Sequence, residues 1–150
     1  MPRKKKAAPV IKEVVSEKPK EQVVYQAVGR RKSAVAQAKL FAGAGNLTIN
    51  SHPILQYFSG QVSKLAWQKP FQTVGALGKF DGTIKVYGSG KSGQLVAVTH
   101  AISRALLQVN PDWRKPLKKQ GLLTRDPRVR ERRKYGNAQK ARAKKQSPKR

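Results

Sequence analysis

Residues 83–107 read TIKVYGSGKSGQLVAVTHAISRALL, and this stretch decides how the fold is organised. Its first five residues alternate between apolar and polar positions and are rich in β-branched and aromatic types, which predicts a strand. A glycine-rich loop follows at 88–93. Beyond the loop, apolar residues recur at three- and four-residue steps and predict an amphipathic helix with Ser92 as its N-cap. The residues of this apolar stripe are Leu95, Val98, Ile102, Leu106 and Val109.

The loop GSGKSG is similar to the phosphate loop of nucleotide hydrolases, whose pattern is G-x-x-x-x-G-K-[ST]. In that pattern the first glycine would fall at position 85, which is Lys85. Such an enzyme also needs an acidic residue to hold Mg²⁺, and between positions 22 and 111 the only acid is Asp81, in a turn. The sequence therefore argues against nucleotide hydrolysis.

Two interpretations of the loop remain. It is either a glycine turn with a solvated lysine or a site where amides at a helix N-terminus meet a phosphate of a nucleic acid. The high positive charge of the chain favours the second interpretation. The glycines are compatible with it, because they allow another backbone to approach closely. The residues predicted for this contact are Gly88, Gly90, Lys91, Ser92 and Gly93.

The same signals predict further short elements along the chain. Helical patterns cover 53–58, 62–67 (closed by Pro70) and 113–120 (stopped by Gly121), and the long helix ends at the Asn110-Pro111 break. Strand patterns cover 22–28, 34–41, 47–49, 71–74 and 83–87.

The chain has 33 Lys and Arg against 7 Asp and Glu, a formal net charge of +26. A charge this large opposes compaction and indicates a polyanionic partner. Residues 112–150 hold 16 of the basic residues and three acids. We therefore expect a basic, disordered N-terminal extension at 1–22, a globular domain with both strands and helices at 23–123 and an extended basic tail at 124–150.

Several function classes are disfavoured. Without cysteine the chain has neither disulfides nor thiolate zinc sites. No apolar stretch approaches the ~18–20 residues that span a bilayer, and no secretory signal is recognisable at the N-terminus. His52 (in a turn) and His100 (on a helix surface) are far apart in sequence and have no nearby acids. We expect no catalytic residues, metal, cofactor, membrane or small-molecule substrate.

Four strings together resemble one protein family. They are GRRKSAVA at 29–36, LTINSHP at 47–53, GSGKSGQ at 88–94 and KPLKKQGLLTRDPRVRERRKYG at 115–136. In this order and spacing the chain resembles the ninth protein of the small ribosomal subunit, in its bacterial or organellar form, from about Val24 to Arg150. The GLLTRD string is the most specific of these features, whereas the glycine loop alone would not identify a family.

The resemblance implies an α+β fold like the second domain of ribosomal protein S-five. In that fold a four-stranded sheet carries helices on one face and contains a left-handed βαβ crossover, followed here by a long extended C-terminal tail. The handedness comes from the resemblance alone, since nearly all such connections are right-handed.

The resemblance also implies the partners. The family binds ribosomal RNA in the head of the small subunit, beside other head proteins, and its tail reaches the peptidyl-site tRNA in the ribosome, here of the cytoplasm or of an organelle. Lys149 and Arg150 match the terminal Lys-Arg that contacts tRNA. The residues expected against ribosomal RNA, besides those of the glycine loop, are Arg30, Arg31, Lys32, Arg125, Arg128, Arg130, Arg132, Arg133, Lys134, Tyr135, Lys140, Arg142, Lys144 and Lys145.

The match has departures. Ser89 and Lys91 stand in a loop where the family usually has further glycine. Near the terminal pair, Ser147 stands where Phe is usual.

A second function also fits the composition, because phosphate attraction does not distinguish one nucleic acid from another. The alternative is a histone-like protein that compacts DNA non-specifically. An ordered body with a GLLTRD string favours the ribosomal interpretation.

Overall fold

The computed structural model describes residues 23–137 and 140–142. Its regular elements are five strands, four α-helices and a 3₁₀ turn at Pro111–Trp113. The strands are β1 (Tyr25–Arg31), β2 (Ala34–Ala42), β3 (Leu47–Ile49), β4 (His52–Pro53) and β5 (Phe80–Tyr87). The helices are α1 (Ile54–Tyr57), α2 (Gln61–Thr73), α3 (Lys91–Val109) and α4 (Arg114–Lys119). The predicted α+β class is confirmed.

The five strands form one mixed sheet in the order β1-β2-β5-β3-β4. Neighbours are antiparallel except β3 and β5, which run parallel and are joined through α1 and α2. Asn50 extends this parallel pair, because its side-chain amide donates to the Val86 carbonyl and accepts from the Val86 amide, both at 2.9 Å. The sheet thus contains a βαβ crossover, and its left-handed sense remains a prediction.

One face of the sheet carries the core. Alternate residues of β2 are fully buried, starting at Ala34 and ending at Leu40. Helix α3 crosses this face so closely that a Cβ at Gly29 would collide with the backbone of Ala97 and Ala101. Small residues on both surfaces allow this approach, and α2 also packs against α3. The helices therefore cover one face and leave the other open.

The predicted strand at 71–74 is wrong, because α2 continues through Pro70 to Thr73. A proline removes one helical hydrogen bond to the carbonyl four residues earlier. Here that carbonyl belongs to Ala66, and the Thr99 hydroxyl lies 3.4 Å from it. Trp67 and Pro70 are buried together on one side of the helix. Tertiary packing thus overrides the local stop signal.

Other boundaries also differ from prediction. The N-cap of α3 is Gly90 in extended conformation, so Ser92 lies inside the helix and does not cap it. Strand β5 begins at Phe80, three residues before the predicted start, since residues 80–82 pair with the end of β2. The sheet has five strands where the resemblance implied four, because the two-residue β4 pairs with β3.

Helix α4 ends at Lys119, just before Gly121, the residue predicted to stop it. After α4, the Gly121 amide donates to the Lys118 carbonyl and the Leu122 amide to the Leu117 carbonyl, which closes the helix. Residues 125–134 form neither helix nor strand. Among the described helices, none combines the length and apolar character needed to cross a membrane.

Candidate nucleic-acid interface

The β1–β2 hairpin turn and the glycine loop pack against each other at one end of the sheet. Tyr87, the last residue of β5, pairs with Val35. Gly88 follows with φ of 78°, and a Cβ there would collide with the carbonyl oxygen of Ser33. Two motifs that are 55 residues apart in sequence thereby become one surface. The exposed cations of this surface are Arg30, Lys32 and Lys91.

The three glycines of the loop have different roles. Gly88 faces the hairpin backbone, and a Cβ at Gly93 would lie 2.8 Å from the Ser89 hydroxyl oxygen. A Cβ at Gly90, in contrast, would meet nothing within 4 Å. Contacts inside the protein therefore explain Gly88 and Gly93. Gly90 is the loop glycine at which an external backbone has room to approach.

Side chains from two helices hold the loop in place. Gln94 donates to the Gly88 carbonyl at 3.1 Å and accepts from the Tyr57 hydroxyl at 2.8 Å. The Lys91 ammonium lies 5.9 Å from the centre of the Tyr57 ring, within cation–π range. The first amides of α3 have no acceptors within the helix and carry partial positive charge. This end of α3 can therefore receive an anion without rearranging.

Arg31 points toward the tail. Its Nη2 lies 2.9 Å from Asp126 Oδ2, and its Nη1 donates to the carbonyl of Arg128. Only 14% of the Arg31 side chain is exposed. These contacts fix residues 126–128 beside the hairpin. The sequence predicted an RNA contact for Arg31; the geometry gives its guanidinium a role in positioning the tail, and a direct RNA contact stays a prediction.

Asp126 is bound from a second side as well. Arg128 Nε and Nη2 donate to the carboxylate at 3.0 and 2.8 Å, and the Arg128 amide donates to Oδ1 at 2.9 Å. The hydrogen-bonded guanidinium of Arg128, aided by the charge of Arg31, holds the pKa of Asp126 far below its usual value. Asp126 is thus ionised whenever the protein is folded near neutral pH. Arg128 nevertheless remains 84% exposed.

A second acid organises the next part of the tail. Glu131 Oε2 accepts from Arg142 Nε at 3.0 Å, and Glu131 Oε1 lies 3.5 Å from the Lys134 ammonium. The hydrogen bond from Arg142 lowers the pKa of Glu131. The Lys134 amide donates to the Lys140 carbonyl at 3.2 Å, and the Lys140 amide donates to the Asn137 carbonyl at 2.9 Å, which closes the same turn. Asp126 and Glu131 therefore hold the basic side chains that pair with them at defined positions along the tail.

His100 is a residue whose role the sequence did not reveal. His100 lies on helix α3, as expected, but is half-buried: its Nε2 lies 3.2 Å from the Leu123 carbonyl, and its Nδ1 is buried without a hydrogen-bond partner among the residues that the structure describes. Burial lowers its pKa, and the nearby charges of Arg104 and Arg125 act in the same direction. A neutral His100 thus ties α3 to the start of the tail. The apolar Leu122-Leu123 pair is the only sequence signal for this contact.

The remaining predicted residues separate into two groups. The side chains predicted to contact RNA in the described tail are exposed, and Tyr135 reaches 95% exposure. Lys144, Lys145, Lys149 and Arg150 lie outside the described residues. Within residues 23–137 and 140–142 no group of three or more His, Asp or Glu could hold a metal ion. The exposed tail residues are Arg125, Arg130, Arg132, Arg133, Lys134, Tyr135, Lys140 and Arg142.

Known proteins resemble this chain over most of its length. The sequence model of the family described as "Ribosomal protein S9/S16" matches residues 29–150. The chain is 50% identical to small ribosomal subunit protein uS9 of Thermus thermophilus over 119 residues, which cover 79% of this chain and 93% of the relative. It is 47% identical to the protein of the same name from Syntrophobacter fumaroxidans over 112 residues, 75% of this chain and 86% of the relative. With family match and relatives in agreement, the chain belongs to the ribosomal protein S9/S16 family.

Proposed function

We propose that this chain is a structural protein of the small ribosomal subunit. It binds the ribosomal RNA of the head, contacts neighbouring head proteins, and its C-terminal residues contact the peptidyl-site tRNA during translation. The observation that carries the RNA-binding part is the cationic surface made by the hairpin, the glycine loop and the tail. The names of its relatives support the placement in the small subunit.

The electrostatics of the described residues support RNA as the partner. Asp126 and Glu131 are both held in ion pairs with arginine or lysine. These carboxylates orient the basic side chains that they bind. Because each negative charge is paired, it repels RNA phosphates less than a free carboxylate would. Guanidinium groups suit phosphate oxygens because their N–H donors form a planar fork. The exposed ring of Tyr135 is available to stack on an unpaired base.

The tRNA contact is proposed for Lys149 and Arg150, on the strength of the resemblance. Subunits assembled with a chain lacking these two residues should bind peptidyl-site tRNA more weakly, while their assembly is unchanged. The matched control removes two charges from α4, by Lys118→Gln and Lys119→Gln, and should leave tRNA affinity near the wild-type value. Equal tRNA affinity in truncated and wild-type subunits would refute the contact.

Fractionation tests the function as a whole. On a sucrose gradient of a cell lysate, the tagged full-length chain should sediment with small subunits of the compartment in which it works, which we propose to be the cytoplasm. A chain that instead sediments with nucleoids, and is absent from small subunits, would favour the DNA-compacting alternative. Treatment of the lysate with ribonuclease or deoxyribonuclease before the gradient identifies the nucleic acid to which the chain is bound, because only removal of that nucleic acid shifts the chain to lighter fractions.

A further inference from the structure

The sheet face opposite the helices is open and has a distinct chemistry. On β2 and β5 the residues that alternate with the buried ones are exposed or half-buried. Strand pairing arranges them in rows across the sheet. One row joins Arg30, Val35 and Tyr87, the next joins Val28, Gln37 and Lys85, and a third joins Gln26, Lys39 and Thr83.

We propose that this open face binds single-stranded ribosomal RNA, with one unpaired base stacked on Tyr87 and adjacent phosphates held by Arg30, Lys85 and Lys39. The proposal rests on the proposed function, since it takes ribosomal RNA as the ligand. It adds a binding surface, the open sheet face, that is distinct from the tail.

The charge of this face is complementary to RNA. Three of the residues in the rows are cations, and none is acidic. The nearest acid on the same face is Asp81, six residues before Tyr87 on the same strand, or about 20 Å away at the usual rise of a strand. Its carboxylate accepts from the Asn46 amide at 2.6 Å. Around Tyr87 the face is therefore purely cationic or neutral.

Tyr87 is positioned to stack. It is 57% exposed although it belongs to an inner strand of the sheet, and its neighbour across the strand pair is the small side chain of Val35. Aromatic rings on an open sheet bind single-stranded nucleic acid because every base has a face that can stack. A paired helix does not offer such a base, since its bases are already stacked. Tyr87 thus indicates a single strand or a loop.

A protein partner fits this face less well. The centres of protein interfaces are depleted of lysine, whereas Lys39 and Lys85 both stand here. The face is also continuous with the cationic surface already described, because Gly88 follows Tyr87 directly. A strand of RNA seated on Tyr87 would pass from the sheet to Lys91 and the N-terminus of α3. One continuous cationic path favours RNA.

Two substitutions at one position test the stacking. With the full-length chain and a fluorescent single-stranded oligoadenylate, Tyr87→Phe should bind within about twofold of wild type because the ring is kept. Tyr87→Leu should bind about 5- to 150-fold more weakly, the range for loss of one stacked base. Equal affinity for Leu and Phe variants of unchanged thermal stability would overturn the stacking proposal.

The phosphate contact is tested by salt dependence. Lys85→Gln should reduce the slope of log affinity against log salt by about 0.7, the value for one single-strand phosphate. The control is Lys64→Gln on α2, an exposed lysine of the helical layer, which should leave the slope near the wild-type value. Equal slopes for Lys85→Gln and wild type would refute the contact.

Assembled subunits separate this proposal from the general function. In small subunits carrying Tyr87→Leu, chemical probing should expose at least one nucleotide that Tyr87→Phe protects. Loss of a neighbouring protein with an unchanged RNA footprint would mean that the face binds protein, and would overturn the proposal. If the Leu variant enters subunits with its RNA footprint and composition unchanged, the sheet-face site fails while ribosomal RNA binding stands. A wild-type chain that never enters subunits would refute the proposed function itself.

Discussion

The guanidinium of Arg31 and the carboxylate of Asp126 meet at 2.9 Å, which joins the end of β1 to the first residues of the tail. Arg31 is the less exposed partner, at 14% against 27% for Asp126. The pair lies directly beside the hairpin turn, next to the exposed cations Arg30 and Lys32. Through this contact the body determines where the tail begins its course.

Asp126→Asn should loosen the start of the tail, because the neutral amide loses the charge attraction to Arg31 and Arg128. We expect trypsin to cleave the Arg128–Val129 bond of the full-length chain several times faster in this variant. Glu131→Gln is the matched control, since it removes an acid farther along the tail and leaves the Arg31 contact in place. Equal cleavage rates at this bond in wild type and Asp126→Asn would show that the ion pair does not fix the tail.

Of the two glycines that flank Ser89, Gly88 should tolerate alanine much less well than Gly90. Gly88→Ala places a Cβ against the Ser33 carbonyl at positive φ, so it should lower the free energy of unfolding by about 1–3 kcal/mol. Gly90→Ala has open space but places alanine at the N-cap of α3, so it should lower the free energy of unfolding by less than about 1 kcal/mol. Urea unfolding of both variants measures the difference.

The same Gly90→Ala variant also tests the RNA contact. If an RNA backbone approaches the loop at Gly90, the added methyl group should weaken RNA binding although the variant is still fully folded. RNA affinity equal to wild type would remove Gly90 from the interface. Gly75→Ala is the control, since it also has open space around it and lies outside the loop, although its positive φ makes a small loss of stability part of the expectation.

His100 should make stability fall in mild acid. Its pKa is lowered in the folded protein, so below its ordinary value of about 6.5 the unfolded chain takes up a proton more readily than the folded one. The free energy of unfolding contributed by neutral His100 is therefore present above about pH 6.5 and decreases as pH falls toward the folded pKa. Urea unfolding at pH 7.5 and 5.5 measures this change, which His100→Gln should reduce. An equal change in both proteins would assign it to other groups.

Gly29→Ala should be among the most damaging single-methyl additions in the body. Its Cβ would meet the backbone of α3, which cannot move aside as a flexible side chain can. We expect a loss of about 3 kcal/mol, the upper part of the range for overpacking. Thermal unfolding followed by circular dichroism measures it, with Ala36→Gly on the facing strand as a comparison that removes volume. Wild-type stability for Gly29→Ala would mean that α3 and β1 can separate at low cost.

The sequence predicted the long-range architecture best where periodicity and turn chemistry agree. The stripe from Leu95 to Leu106 gave α3, and β3 was predicted at its observed bounds. The prediction that the second helix ends before Pro70 failed. A proline is a local helix-stop signal, and the burial of one face of α2 outweighs it. The N-cap of α3 was missed for a similar reason, since Gly90 begins the helix without a side-chain bond.

The candidate site was predictable as a set of residue types and not as an arrangement. Arg31 and Arg30 are adjacent in the same string of cations, yet one is held by Asp126 and the other stands exposed on the open face. Which side of the sheet each residue occupies follows from strand register, which a short basic run does not reveal. Likewise nothing near His100 in sequence indicates that its partner is the carbonyl of Leu123.

The Arg31–Asp126 contact limits how far the C-terminal residues can reach from the body. Twenty-four residues separate Asp126 from Arg150, and an extended chain advances at most about 3.6 Å per residue. Arg150 is therefore confined within roughly 90 Å of its tether, and the turn closed by Glu131 and Arg142 shortens that reach. For the tRNA contact proposed for Lys149 and Arg150, this tether makes the encounter intramolecular once the body and the tRNA occupy the same subunit. Its effective concentration is then set by the length of the tether.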